Sequence, residues 1–340
     1  MSVSSYQSKR ELLELENLTW LVTGAAGFIG SHLVEELLSL NQKVIGVDNF
    51  LTGKKSNLDI IEAVNPERFK ENFIFYEIDI TSAEQVSNLP TVDFILHQAA
   101  MGSVPRSILK PIDTHHNNVT GFINMLVFAN SLNVKKFIYA SSSSVYGDHP
   151  TLPKVEENTG NLLSPYALSK MTDELYAEVF SRVYGIKTVG LRYFNVFGPR
   201  QDPNGQYAAV IPKWINATLV DKPIVINGDG QTSRDFCYVK NVVQANILAA
   251  LADQSETKNS VYNIACGGQI TLDELAKTVQ HEIGAYLPNL KPKILYQDFR
   301  DGDIRHSTAD ISKAQHSFGY LPEYDFISGM KETINLLCKI

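Results

Sequence analysis

The chain has 340 residues, 44% of them apolar and 20% charged, with a net charge of −7. That composition suits a soluble globular protein with one large α/β domain and a smaller one, and without a basic stripe it argues against nucleic acid as a partner. The three cysteines, Cys237, Cys266 and Cys338, are odd in number and lack metal-ligand spacing, so no metal and a reduced, cytoplasmic setting are expected. No apolar run reaches the ~18 residues of a membrane span. The polar start MSVSSYQSKRELLELE is not that of a secretory signal.

Residues 1–17 form an N-terminal extension. Leu12, Leu13 and Leu15 among Glu and Arg fit a short amphipathic helix on the surface, and equally a frayed terminus. The segment WLVTGAAGFIGSH at 20–32 then reads as strand, glycine turn and helix. Gly24, Gly27 and Gly30 let the backbone approach a pyrophosphate, and the helix beginning near Phe28 and Ile29 offers free N–H groups to it. Such a glycine string also occurs in turns that merely join two elements. A second apolar strand at 43–47 ends in Asp48, placed to take the ribose hydroxyls of an adenine dinucleotide. A carboxylate there favours NAD over NADP; Lys54 and Lys55 nearby weaken that preference.

Apolar strands at 20–23, 43–47, 73–79, 92–97, 136–141 and 186–192 alternate with helical patterns, one opened by a capping box at Thr81-x-x-Glu84. This alternation predicts a Rossmann-type doubly wound parallel sheet, with ligands at the carboxyl ends of its strands. Asp79 and Ile80 stand at one such end, where they could contact adenine. Gln98, Ala99 and Ala100 stand at another, small enough to pass a flat ligand. Taken alone, each reads first as an ordinary strand end. The stretch ASSSSVYG at 140–147 places Ser142 and Ser143 at a third, with hydroxyls for a sugar or a reacting oxygen. Some twenty residues on, Pro165 opens a helix that sets Tyr166 and Lys170 one turn apart on one face. A tyrosine hydroxyl, ordinarily ionising near pH ~10, becomes a usable base when an ammonium favours its phenolate. The plain alternative is an exposed Tyr and Lys.

TGAAGFIG, Asp48, ASSSSVYG, YALSK and RYFNVFGPR together resemble the extended short-chain dehydrogenase/reductase family, and within it the nucleotide-sugar 4-epimerases typified by UDP-galactose 4-epimerase. The resemblance runs from about Leu18 to the C-terminus. The segments GSVPRS at 102–107 and YGDHP at 146–150, with the N-terminal extension, are most similar to bacterial UDP-N-acetylglucosamine 4-epimerases of surface-polysaccharide synthesis. The family implies bound NAD, a homodimer and a UDP-sugar substrate. It also implies a reaction in which Tyr166, held as phenolate by Lys170, removes the proton of the sugar 4-hydroxyl as the C4 hydride passes to NAD. The 4-keto sugar then turns its other face, and the return of hydride and proton inverts C4. Ser142, with Ser143 beside it, is implied at the reacting oxygen.

By the same resemblance the cofactor meets Gly24, Gly27, Phe28, Ile29, Gly30, Asp48, Asn49, Asp79, Ile80, Gln98, Ala99, Ala100, Asn117, Tyr166, Lys170 and Tyr193. The UDP-sugar meets Gly102, Ser103, Ser142, Ser143, Asn195, Ala209, Val210, Lys213, Trp214, Ile226, Asn227, Arg234, Arg300, Asp303 and Ser307. His115 and His116 read as ordinary helix residues. Arg234 suits a phosphate by its fork, against the alternative of an ion pair with Asp235 or Asp229. Ser307 stands where the family carries a bulky tyrosine when only unacetylated sugars fit, so serine leaves room for an N-acetyl group. The expected organisation is a NAD-binding domain at 18–197, to which 236–264 returns, and a substrate lobe from 198–235 and 265–340. Dehydratases and decarboxylases of the family carry acidic residues where this chain has Ser143 and Ser144, which argues for epimerisation. A hexuronic-acid or N-acetylhexosaminuronic-acid 4-epimerase shares the serine motif and stays open. A dinucleotide sensor without turnover would typically have lost Tyr166 and Lys170.

Overall fold

The computed structural model describes residues 5–204, 208–253, 257, 260–290, 292–299 and 305–338. Six apolar segments form strands β1 (Thr19–Thr23), β2 (Lys43–Asp48), β3 (Phe73–Glu77), β4 (Phe94–His97), β5 (Lys136–Ser142) and β6 (Thr188–Tyr193). With the strand Val261–Ile264 they make one seven-stranded sheet, ordered Val261–Ile264, β6, β5, β4, β1, β2, β3. Every pairing in it is parallel. The chain leaves β1 toward β3 and comes back to β4 on the other side of β1. A crevice therefore opens at the carboxyl ends of β1 and β4, where ligands bind in doubly wound sheets.

Both faces of the sheet are covered, which is why its strands read as continuous apolar runs. On one face α2 (Phe28–Ser39) and the helix Val239–Leu251 pack Leu33, Leu37, Val242 and Leu248 against Val22, Leu96 and Ile138. On the other, Phe122, Met125 and Leu126 of the helix Gly121–Leu132 meet Leu21, Ile95 and Phe137.

Of the two readings of the N-terminus, the structure shows the helix: α1 (Ser5–Leu15) buries Tyr6 and Leu13. The Tyr6 hydroxyl donates to Glu36 of α2 at 2.9 Å. The Gln42 amide, itself fully buried, donates to the carbonyls of Leu13 (2.7 Å) and Glu16 (2.9 Å), and accepts from Leu18 N and Trp20 Nε1, both at 3.3 Å. It thus satisfies carbonyls that the end of α1 leaves open. The capping box expected at Thr81 does not form, and a one-way cap one residue on takes its place. Ser82 caps the helix Ala83–Ser87, accepting from Gln85 N, while the Thr81 N–H goes to Asp79. The box at Thr271 and Glu274 is complete in both directions.

The smaller lobe pairs the strands Ile224–Asn227 and Ile294–Gln297, and flanks Ser233–Arg234 with Ile270–Thr271 and His306–Ser307. Trp214, Ile226, Phe236, Leu275 and Met330 form its core. Two helices that the sequence pattern did not reveal, Ser312–Phe318 and Phe326–Cys338, complete the chain. Phe318 belongs to the core of the main sheet and Phe326 to that of the lobe.

Candidate active site

After β1 the chain turns at Gly24 with φ +68°, and a Cβ there would stand 2.9 Å from Ala99 N. At Gly30 a Cβ would stand 2.0 Å from the Gly24 carbonyl oxygen, so α2 starts hard against the turn. Gly27 precedes α2 with no side-chain cap, which leaves the first N–H groups of the helix to an anion. Asp48 accepts from Ala26 N (3.0 Å) and Phe50 N (2.8 Å); burial pushes its carboxyl up and these N–H bonds pull it back. Lys54 pairs with Asp202 at 3.1 Å and Lys55 with Asp59. Both lysines thus have carboxylate partners other than Asp48. The glycine cradle, the uncapped helix and the buried carboxylate fit a dinucleotide.

A cleft of about 1340 Å³, counting the open space at its mouth, begins here. It gathers Gly24, Gly27, Phe28, Ile29, Gly30, Asp48, Asn49, Ile80, Gln98, Ala99, Ala100, Gly102 and Asn117, together with Ser142, Tyr166, Lys170 and Tyr193. Asp79 stands beside it, its carboxylate taken by Asn49 Nδ2 (3.2 Å) and Thr81 N (2.8 Å), while Ile78 and Ile80 form the wall. The ends of β1, β4 and β6 are tied by hydroxyls and amides. Thr23 Oγ1 accepts from Gln98 N and Ala99 N, both at 3.2 Å, and bonds His97 Nδ1 at 2.9 Å. The Tyr193 hydroxyl donates to Gln98 Oε1 (3.1 Å) and accepts from Asn246 Nδ2 (2.9 Å), and Gln98 Nε2 donates to Asn246 Oδ1.

Ser164 caps the helix Pro165–Tyr184, accepting from Ala167 N at 3.1 Å, and Pro165 lies in its first turn. Tyr166 is half-buried on the cleft wall, and one turn on Lys170 is 2% exposed. Ser142 ends β5 at the cleft, bonded to Ser144 through its hydroxyl and the Ser144 N–H. Ser143 opens the turn Ser143–Tyr146 and is not part of the cleft wall. Behind them Glu174 takes Arg192 in a two-pronged pair, at 2.9 and 2.7 Å, and accepts from Ser141 Oγ at 2.5 Å. This buried network fixes the helix against β5 and β6.

Asn118 escaped the sequence reading. Its Oδ1 accepts from Met101 N at 2.7 Å and its Nδ2 donates to Ser169 Oγ at 3.0 Å, joining the loop after β4 to the helix of Tyr166. A π-helical turn, His116–Thr120, points Asn117 to the cleft and Asn118 inward. A widened turn of this kind leaves no trace in apolar periodicity.

The residues expected at the UDP-sugar are distributed along the lobe. Ser103 is strained at φ +120° and caps its short helix, and Asn195, at φ +33°, donates to the Asp235 carbonyl at 3.0 Å. Arg234 and Ser307 are direct neighbours on paired strands. Arg234 donates to the carbonyls of Ser233 (2.9 Å) and Arg305 (3.2 Å). Asp229 pairs instead with Arg305 at 2.5 Å. Asp235 is buried and accepts from the N–H groups of Cys266 and Gly267 at 3.0 Å and of Ala309 at 3.3 Å. Ala209 and Val210 begin the helix Val210–Leu219, which has no side-chain cap, and Lys213 is exposed in its first turn. The side chains of Trp214 and Ile226 turn inward. Both side chains are buried in the lobe core, 3% and 0% exposed, because the apolar face of that helix and the inward face of that strand meet there. Asn227 closes the same strand. Arg300 and Asp303 lie outside the described residues. Among the described residues no cluster of three or more His, Cys, Asp or Glu could hold a metal, and no helix is long and apolar enough to cross a membrane.

The profile of the NAD dependent epimerase/dehydratase family matches residues 20–265. A UDP-glucuronate 4-epimerase of Thermodesulfobacterium geofontis is 32% identical over 93% of this chain and 95% of its own. A UDP-N-acetylglucosamine 4-epimerase from Methanobrevibacter ruminantium, solved in complex with UDP-N-acetylmuramic acid, superposes with a TM-score of 0.86. It is 39% identical and covers 96% of this chain and 100% of its own. A UDP-glucose 4-epimerase of Thermotoga maritima with UDP-glucose gives 0.85 at 35% identity, over 95% of this chain and 99% of its own.

Proposed function

Because the chain belongs to the NAD dependent epimerase/dehydratase family and uses NAD, we propose that it is a UDP-sugar 4-epimerase that interconverts UDP-N-acetylglucosamine and UDP-N-acetylgalactosamine. The observation that carries this reading is the meeting of Tyr166, Lys170 and Ser142 in the same cleft as the glycine turn and Asp48. NAD, when bound, supplies the acceptor that takes the hydride from C4 and gives it back. Tyr166 takes the proton of the 4-hydroxyl and later returns it. Lys170 favours the phenolate form of Tyr166. Ser142 bonds the reacting oxygen and orients it. Serines at 143 and 144 supply no acid for elimination at C5–C6, so the reaction stops at inversion.

The N-acetyl preference is supported by Ser307, a small residue beside Arg234, and by the named activity of the Methanobrevibacter protein. Arg234, Asn195 and the uncapped start of the helix Val210–Leu219 are assigned to the UDP moiety. Arg300 and Asp303 join them by family likeness alone. The role we assign is the supply of N-acetylated sugar nucleotides for surface polysaccharide.

The test is to incubate the purified protein, with no added cofactor, with UDP-GlcNAc, UDP-Glc and UDP-GlcNAcA separately, and to follow C4 inversion by proton NMR. UDP-GalNAc should form fastest. Preferential conversion of the uronic acid would replace the substrate and keep the chemistry, and a 4-keto-6-deoxy product would overturn epimerisation. Tyr166→Phe should abolish most turnover while UDP-sugar still binds. Ser307→Tyr should suppress N-acetylated substrates more than plain hexoses.

The helix Pro165–Tyr184 also carries an exposed apolar stripe: Leu168, Leu175, Val179 and Val183 are between 43% and 63% exposed. We infer that a second copy of the chain covers it, since an apolar face of this size is rarely left to water.

A further inference from the structure

Behind Tyr166 and Lys170 lies a carboxyl that the chemistry above does not use. Asp173 is on the same helix, 0% exposed, and its Oδ2 accepts from Lys170 Nζ at 3.2 Å. Its other oxygen has no hydrogen-bond partner among the described residues. Lys170 is sealed from solvent on that side yet forms part of the cleft wall. An ammonium carries three hydrogens. One is given to Asp173, which leaves two for the cleft. A carboxylate in contact with an ammonium also offsets much of its field elsewhere, and in a buried setting that field is strong. Tyr166, one turn back, is where the field acts.

The surrounding groups leave Asp173 as the counter-charge of Lys170. On the same helix Glu174 is matched by Arg192 of β6. From β5, Tyr139 faces Asp173, and burial pushes its hydroxyl well up, so it is neutral. From β4 comes His97, whose Nδ1 is on Thr23 and whose Nε2 has no partner among the described residues. Burial and then the Lys170 charge push His97 down to about 3, so it is neutral too. Asp173 itself is pushed up to about 7 by burial, against the pull of Lys170.

We propose that Asp173 is a positioning residue that holds Lys170 by one of its hydrogens and offsets its charge, and so sets how strongly Lys170 favours the Tyr166 phenolate. The proposal rests on Tyr166 being the base of the reaction proposed above. Asp173→Asn keeps an oxygen for Lys170 and removes the charge; Asp173→Ser removes the charge with less bulk.

The experiment is the pH dependence of kcat/KM for C4 inversion by NAD-loaded enzyme, in wild type and both variants. The acid limb should move down by about one pH unit in each, since an unopposed ammonium favours the phenolate more. A limb that stays in place, or moves up, in folded variants overturns the proposal. A simple packing role for Asp173 would lower the whole profile without shifting it, and that outcome overturns it as well. Tyr166→Phe separates the two failures. If it retains wild-type turnover, the assignment of the base has failed and this proposal falls with it. If it is inactive while the Asp173 variants keep the wild-type limb, only the present proposal fails.

Discussion

At Gly30 a methyl group has nowhere to go, because its carbon would stand 2.0 Å from the Gly24 carbonyl oxygen and 2.7 Å from the carbonyl carbon. Gly30→Ala is expected to cost about 1–3 kcal/mol of stability and to release NAD, since the turn and the start of α2 must part. The NAD content of the purified variant checks this, and a full complement would show that the turn has more slack than its geometry implies. Asp173 makes a second prediction at this scale, on stability. Its carboxyl is raised by burial to about 7 in the folded protein, against an ordinary value of 3.8. The stability this contributes is complete below the ordinary value and is lost as pH rises through about 7. Asn carries no such loss, so the stability of Asp173→Asn relative to wild type should rise between pH 5 and pH 8 in thermal unfolding; a variant that falls further behind wild type over that range would refute the sign. Tyr166 and Lys170 were legible because four residues along a helix always share a face. Asp173 was not, since its role depends on burial. Nor was Thr23, whose partners on His97, Gln98 and Ala99 are 74 to 76 residues away.

The π-helical turn His116–Thr120 does its work through Asn118, which clasps Met101 and Ser169. Asn118→Ala should slow turnover by about ten- to hundredfold through misplacement of the Tyr166 helix, with the fold intact by circular dichroism. Unchanged kinetics would reduce Asn118 to a packing residue. Gln42→Leu would strip α1 of its cap and leave the Trp20 indole N–H without its acceptor. We expect a loss of about 3 kcal/mol in urea unfolding with turnover little changed, as α1 is remote from the cleft. Strands β1, β2 and β4 to β6 were readable in the sequence because buried parallel strands are apolar throughout, and β3, at the sheet edge with no buried residue, because its Phe-Ile-Phe-Tyr run favours a strand. Caps were less so: Thr81 and Ser82 are both good cap residues, and only the backbone decides between them. The helices Ser312–Phe318 and Phe326–Cys338 divide their apolar residues between two cores, which blurs the periodicity on which such readings depend.

Across the whole molecule, Asp235 ties the lobe to the main sheet. It follows Arg234 on the lobe and takes the N–H groups just beyond the strand Val261–Ile264. The doubly wound sheet was legible in the alternation of strand and helix. The strand pairing inside the lobe was not, because Arg234 and Ser307 are 73 positions apart and meet only through a two-residue strand pairing. The inferred dimer is tested at this scale. Leu175→Asp with Val179→Asp should convert the sedimenting species to a monomer that still carries NAD, and a wild type that already sediments as a monomer would remove the inference.

The clasp on α1 bears on the order in which a ribosome delivers this chain. Eleven residues are too few to hold a helix alone in water. Its cap, Gln42, emerges later, and Lys9 meets the Leu251 carbonyl only after most of the chain has been made. This helix, translated well ahead of its partners, is therefore among the last elements to settle. Proteolysis of stalled nascent chains should cut near Leu12 until Leu251 has cleared the exit tunnel, and protection at shorter lengths would show that α2 and Gln42 suffice to hold it.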